Sequence, residues 1–137
     1  MPVTIEKRHH DHLWILTFTE ATPAAVDMWE QTVRSYIAFF NDASDRYLVY
    51  DTTRIPNFGF SSYLRQRATI LAQDNPDATG RVAVVLHLPI LITNLFDFFI
   101  RYTGRRLQPR LEVKLFASRE KAIAWVEQII PREAWED

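Results

Sequence analysis

Cysteine is absent from the 137-residue sequence, and glycine occurs only three times. Without cysteine the chain can form no disulfide, no thiolate zinc site and no cysteine nucleophile. No apolar run reaches the ~20 residues of a membrane-spanning helix, and residues 1–7 lack the apolar core of a signal peptide. We therefore expect a cytoplasmic protein without a transmembrane segment.

An excess of charge of one sign is also missing, because 16 basic side chains nearly balance 17 acidic ones and leave a net charge of −1. This balance removes the long-range attraction on which nucleic-acid binders and polybasic membrane proteins rely, so neither class is expected. The 47% apolar and 24% charged fractions are typical of a folded globular protein. The length predicts a single domain, residues 1–137, with a polar C-terminal tail at 131–137.

Hydrophobic periodicity predicts alternating strands and helices. Strand-like segments at 3–8 and 13–19 flank the polar run His9-His10-Asp11-His12, which is typical of a hairpin turn. Thr22 is the expected N-cap of a long amphipathic helix that begins at Pro23. The remaining predicted elements are a strand at 47–50, a helix from residue 61 or 62 to 74, a strand at 82–86, a helix at 89–102, a strand at 112–116 and a helix capped by Ser118.

The resulting order, β-β-α-β-α-β-α-β-α, separates each later strand from the next by a helix of crossover length. Such units give parallel neighbouring strands and right-handed connections. We therefore predict an α/β fold, a mixed and mostly parallel sheet of about five strands in a single layered domain, with helices packed on it. The segment 112–116 alternates like a half-exposed strand and is predicted to lie at an edge of the sheet.

Segments 81–85 (RVAVV) and 113–126 (VKLFASREKAIAWV), and the strand that ends in Asp51, resemble the STAS or SpoIIAA-like family, the anti-sigma-factor-antagonist fold. The resemblance spans nearly the whole chain in element order, and it implies an SpoIIAA-like fold. In the antagonist branch of that family, a serine at the start of the helix after this strand is phosphorylated to control a partner. Ser61 and Ser62 match it, between Phe60 and Tyr63. The alternative is that one of these serines only caps the helix.

Asp51 and His87 end two predicted central strands, at the edge where open α/β sheets usually bind ligands. Together with Ser62 they suggest a Ser-His-Asp hydrolase. The sequence has no G-x-S-x-G elbow and no glycine-rich stretch for an oxyanion hole. We therefore predict no catalytic residues, and we interpret Asp51 as a brace for the loop that contains Thr52 and Thr53.

The run from His9 to His12 contains side chains that divalent metals accept as ligands. In an extended chain only His10 and His12 would point the same way. The run is therefore interpreted as a solvated turn, and neither a metal site nor a cofactor is predicted.

The segment 91–100 has apolar side chains on more than one side of a helix, although a surface helix needs a single apolar stripe. A second exposed stripe would mark a partner surface, a ligand groove or a membrane contact, unless the helix is wholly buried in the core. Arginines beside the segment would suit a lipid head group. The predicted partner or ligand surface comprises Ile92, Phe96, Phe99, Ile100, Arg101, Arg105 and Arg106.

These observations favour a non-enzymatic regulatory or protein-interaction module of the SpoIIAA-like type, homodimeric through the 91–100 segment. The alternative is a small apolar-ligand or lipid-binding protein that uses residues 90–102 and the nearby arginines, because the related CRAL-TRIO domains enclose an apolar molecule. A third hypothesis, from another class, is an enzyme that uses Asp51, Ser62 and His87.

Overall fold

A computed structural model describes residues 1–41, 44–55, 62–87, 100 and 104–135 of the chain. The elements are β1 (Val3–Arg8), β2 (Leu13–Phe18), α1 (Pro23–Phe40), β3 (Arg46–Asp51), α2 (Ser62–Asp74), β4 (Gly80–Val85), β5 (Leu111–Phe116), α3 (Arg119–Glu127) and a short 3-10 helix (Arg132–Ala134). Residues 100 and 104–107 are helical as well, and the rest of the predicted 89–102 helix lies outside the described residues. The α/β class predicted from the sequence is confirmed.

The five strands form one sheet in the order β1-β2-β3-β4-β5. β1 pairs with β2 antiparallel, whereas β2, β3, β4 and β5 pair parallel to one another. The mixed, mostly parallel sheet is therefore confirmed, and β5 lies at its edge as predicted. None of the helices in the described part of the chain is both long and apolar enough to cross a lipid bilayer.

The hairpin between β1 and β2 turns at the predicted polar run. His9, His10 and Asp11 adopt left-handed backbone angles, with φ of 56°, 54° and 65°. Histidine and aspartate enter this region more readily than most residues that have a side chain. The His12 N–H donates to the His9 carbonyl over 3.1 Å, and the Trp14 Nε1 donates to the Asp11 carbonyl over 2.7 Å. The turn is thus closed by hydrogen bonds without a glycine.

Helices α1 and α2 cover one face of the sheet. Thr22 caps α1, since its Oγ1 accepts from the Ala25 N–H over 3.2 Å, and Pro23 occupies the first helical position. Consecutive right-handed crossovers place their helices on the same side of a sheet. The core of this face combines the α1 stripe, Leu71 of α2 and strand residues: Val26, Trp29, Val33, Ile37, Leu71, Trp14, Leu16, Leu48 and Val82.

Helix α3 covers the opposite face. Ser118 caps it as predicted, accepting from the Lys121 N–H over 3.3 Å. The core of this face contains Ala122, Ile123 and Val126 from α3, with Leu13, Ile15, Tyr47, Val49, Ala83 and Val85 from the strands. Because both faces are covered, the central strands are continuous apolar runs and do not alternate with polar residues.

The residues after α3 return to the β1–β2 hairpin. Trp135 is half-buried, its Nε1 donates to the Ile130 carbonyl over 3.1 Å, and its ring lies 4.6 Å from the ring of His9 between centroids. Arg132 lies over the same indole at 4.2 Å. The C-terminal segment therefore packs through Trp135 against the turn of its own chain.

Candidate functional site

The parallel strands β2 to β5 all end at one edge of the sheet, which we name the strand-end edge. It is formed by the last residues of these strands, the loop residues that follow them and the start of α3. The register places Thr17 beside Asp51, and Asp51 beside Val85. The Leu86 N–H donates to the Phe116 carbonyl over 3.1 Å, which holds the ends of β4 and β5 together.

Asp51 is buried at the centre of the strand-end edge, with 5% of its surface exposed. Its Oδ1 accepts from the Thr53 N–H over 2.9 Å and from the Thr53 hydroxyl over 2.7 Å. Thr52 donates its N–H and its hydroxyl to the Val85 carbonyl, over 2.8 and 2.9 Å. Asp51 therefore braces the loop with Thr53, as the sequence predicted.

The second oxygen of Asp51 is bound by Arg119, the first residue of α3. The Arg119 Nη1 lies 2.9 Å from Asp51 Oδ2 and 3.0 Å from Thr17 Oγ1, and donates to both. Its Nη2 lies 3.5 Å from a carboxylate oxygen of Glu6. One guanidinium thus joins α3 to β1, β2 and β3.

The charges of this cluster favour an ionised Asp51. Burial raises the pKa of the Asp51 carboxyl, but the hydrogen bonds from Thr53 and the nearby Arg119 guanidinium outweigh it and hold the pKa below its ordinary value. Both Asp51 oxygens therefore serve as acceptors in a closed arrangement of hydrogen bonds.

His87 and Ser62, the other members of the hypothetical triad, are both exposed. Among the residues that the structure describes, no hydrogen bond joins either of them to Asp51 or to the other. A Ser-His-Asp relay requires the aspartate to accept from the imidazole and the imidazole to contact the serine. The structure does not bring these three side chains together in that arrangement.

Of the two serines that the family resemblance indicates, Ser61 and Ser62, the structure describes only Ser62. Ser62 is the first residue of α2 and is exposed, whereas Ser61 lies outside the described residues. Arg65 follows one turn later and is also exposed. A side chain at the first turn of a helix faces backbone N–H groups that lack helical partners.

The predicted partner or ligand surface lies largely outside the described residues, because Ile92, Phe96, Phe99 and Arg101 all do. Of the residues that are described, Ile100 is half-buried, while Arg105 and Arg106 are exposed within the helical residues 104–107. The prediction for the whole surface therefore stays a prediction.

The histidine run forms contacts within the fold. His9 is buried, and its Nε2 lies 2.5 Å from Glu127 Oε2, while the His12 Nδ1 donates to the His9 carbonyl over 2.9 Å. In the ranges given above, no three His, Cys, Asp or Glu side chains are placed to hold one metal ion.

A second charge cluster, centred on the buried Glu30, joins α1 to α2. Glu30 accepts from Arg34 over 2.9 Å and from Arg67 over 2.5 and 2.7 Å, and Arg34 also donates to Asp74 over 2.8 Å. The hydrogen bond from Arg67 is the largest effect on Glu30, and it outweighs burial, so that the pKa of Glu30 falls to about 2.

Sequence reasoning missed Arg119 and Glu30 as members of buried clusters. A cation at the first turn of a helix opposes the helix dipole, which is a weak signal that Arg119 has a carboxylate partner elsewhere. Glu30 stands among the buried residues of α1, four positions after Val26 and three before Val33. A carboxylate at such a position requires a charged partner.

No family model, no curated protein and no solved structure matches this chain.

Proposed function

We propose that this protein is a non-enzymatic regulatory or protein-interaction module of the SpoIIAA-like type, and that it acts as a homodimer. The observation that carries the proposal is that both carboxylate oxygens of Asp51 are engaged, by Thr53 and by Arg119. Asp51, at the centre of the strand-end edge, thus has a structural role, and a protein partner would bind the exposed residues around it.

The engagement of Asp51 argues against its use in catalysis. An aspartate that orients a catalytic histidine must accept from that imidazole and stabilise its cation. Here the corresponding charge partner is Arg119, whose guanidinium already compensates Asp51. A structural role for Asp51 favours an interaction module over a hydrolase.

Ser62 provides a position at which such a module would be regulated. It is exposed at the start of α2, close to backbone N–H groups and one turn from Arg65. A phosphate there would be stabilised by the helix dipole and by the arginine, and it would change the charge of the surface at the start of α2. This agrees with the role implied by the family resemblance for Ser61 or Ser62.

The first test is the oligomeric state of the purified chain. Light scattering on the wild type should show a dimer, and Phe96→Asp tests whether the 91–100 segment contributes to its interface. Phe39→Asp is the matched control, because Phe39 is 69% exposed on α1 and the substitution adds the same charge. A wild type that stays monomeric at all accessible concentrations would overturn the homodimer.

The second test is catalysis. A general esterase and phosphatase screen of the wild type and Ser62→Ala should show no turnover that depends on Ser62. Hydrolysis that is lost in Ser62→Ala and in His87→Ala would replace the interaction module with an enzyme.

The apolar-ligand alternative depends on residues 90–102 and the nearby arginines, and no contact among the described residues favours it over the interaction module. Native mass spectrometry of the freshly purified protein tests it directly. A co-purifying lipid whose loss lowers the melting temperature would support the alternative.

A further inference from the structure

The outer side of β5 is an open sheet edge within the part of the chain that the structure describes. β5 ends the strand order, and no described strand pairs with it opposite β4. An unpaired edge presents backbone N–H and C=O groups to which another strand can bind. The six residues of β5 contain no proline, so every residue retains its N–H group.

The hydrogen bonds of β5 show which residues face outward. The Phe116 carbonyl accepts from Leu86, on the β4 side. Successive residues of a strand direct their backbone groups to opposite sides, so Glu112 and Lys114 also face β4, whereas Val113 and Leu115 face outward. Leu111 faces outward too, but its N–H already donates to the Gln108 carbonyl over 3.2 Å, which leaves its carbonyl for a new strand.

The charge pattern of β5 is complementary to itself. In an antiparallel pair of β5 strands with Val113 on the two-fold axis, Glu112 of each copy lies opposite Lys114 of the other. Both side chains are exposed; the Glu112 side chain is 62% exposed, and one of its oxygens also lies 3.5 Å from Arg81 Nε on β4. Moving the axis to Glu112 or to Lys114 would place like charges opposite each other, which selects the register centred on Val113.

The apolar residues match in the same register. Leu111 of each copy lies opposite Leu115 of the other, and the two Val113 side chains meet at the axis. All three residues are half-buried in this chain, so each has apolar surface left to cover. The Val113 pair exchanges both of its backbone hydrogen bonds, and each Leu115 N–H donates to the Leu111 carbonyl of the other copy.

The other edge strand, β1, lacks this complementarity. The Thr19 N–H donates to the Pro2 carbonyl over 2.9 Å, so Val3, Ile5 and Lys7 face outward. A two-fold axis on Ile5 places Lys7 opposite Val3, with no opposite charge to meet it. A lysine without an acidic partner protects an edge from pairing.

From these features we infer that two copies of this chain associate through the outer edge of β5, antiparallel and centred on Val113. The inference rests on the proposed homodimer and assigns its interface to β5 in place of the 91–100 segment. A contact built on one six-residue strand is small, so the dimer is in concentration-dependent exchange with the monomer.

The test is a charge exchange followed by sedimentation over roughly a hundredfold range of protein concentration. Glu112→Lys places lysine opposite lysine, and Lys114→Glu places glutamate opposite glutamate, so each variant should raise the dissociation constant by about tenfold or more. An equimolar mixture of the two variants restores opposite charges at both contacts, and it should form a heterodimer. The double variant Glu112→Lys/Lys114→Glu should recover self-association.

The controls are Glu133→Lys and Lys121→Glu, which make the same charge changes at exposed positions outside β5, on the 3-10 helix and on α3. Both should dimerise like the wild type, and circular dichroism should show that every variant is folded. If the wild type is a dimer and both Glu112→Lys and Lys114→Glu leave it intact, the β5 interface is wrong, although the proposed homodimer still holds. A wild-type monomer would overturn both, and failure of the mixture to associate would overturn the register.

Discussion

Arg119 donates to Asp51 over 2.9 Å, across a sequence separation of 68 residues, and the two side chains hold the first turn of α3 against the end of β3. The same guanidinium donates to Thr17 over 3.0 Å. Because the helix and two central strands share one cation, loss of Arg119 leaves the buried Asp51 carboxylate without its charge partner.

The first prediction concerns this pair. Asp51→Ala removes the acceptors of Thr53 and Arg119 together, and it should lower the free energy of unfolding by about 2–4 kcal/mol. Urea unfolding followed by circular dichroism measures the change. Glu6→Gln is the control, since its contact with Arg119 is 3.5 Å long and exposed, and it should change the stability by less than about 0.5 kcal/mol. Equal losses of unfolding free energy in the two variants would contradict the conclusion that Asp51 is the main partner of Arg119.

The second prediction concerns pH. The pKa of Glu30 in the folded state is about 2, below the ordinary glutamate value of 4.5, chiefly because of the hydrogen bond from Arg67. A lowered pKa adds stability above the unfolded-state value, and this stability is lost as the pH falls from about 4.5 toward 2. Glu30→Gln should therefore be less stable than the wild type at neutral pH, by about 1–2 kcal/mol after allowance for solvent screening, and the difference should shrink in acid.

Acid and neutral urea titrations of both proteins measure this effect. Glu133→Gln is the control, because Glu133 is exposed on the short C-terminal 3-10 helix and outside the Glu30 cluster. A difference between wild type and Glu30→Gln that grows as the pH falls would have the wrong sign and would rule out the stabilising ion pairs.

The third prediction concerns Tyr36, which is 1% exposed. Its hydroxyl donates to the His12 carbonyl over 2.8 Å and accepts from the Tyr47 N–H over 3.0 Å. Tyr36→Phe leaves the buried Tyr47 N–H without this acceptor, and it should cost about 1–3 kcal/mol. Thermal unfolding measures the loss. Tyr63→Phe is the control, because it removes a hydrogen bond to Asp27 in an exposed pair and should lower the stability far less. An equal loss of stability in the two variants would show that burial does not determine the effect.

The fourth prediction concerns the start of β4. Gly80 has a φ of +103°, and a Cβ on it would collide with the backbone of Arg46 on β3. Gly80→Ala should therefore destabilise the protein by about 3–4 kcal/mol, or prevent folding. Gly104→Ala is the matched control, since a Cβ there meets no atom within 4 Å. Comparable melting temperatures for the two variants would contradict the close contact between β3 and β4.

Local signals in the sequence predicted the elements well, and the reasons are physical. Thr22 and Ser118 each cap a helix through an N–H three residues later, so the capping signal is contained in a few consecutive residues. The apolar spacing in α1 and the continuous run in β3 likewise depend on their own neighbours. These features require no knowledge of the rest of the chain.

The pairing of charges was not predictable in the same way. Asp51 was identified at the end of its strand, but Arg119 was not, because their contact depends on how α3 crosses the sheet. Glu30 pairs with Arg34 four positions later on its own helix, a spacing that the sequence shows, and with Arg67 on another helix, which the sequence does not show. Periodicity identifies the face of an element on which a side chain lies. Which of the 16 basic side chains pairs with a given carboxylate depends on the tertiary packing.

The strand order also bears on how the chain is made. Each strand of the sheet lies beside the strand that precedes it in the chain. During synthesis from the N-terminus, each new strand can therefore pair with the strand that was made just before it. Since β5 and α3 follow the other strands in the chain, the second face of the sheet is covered only after all five strands have been made.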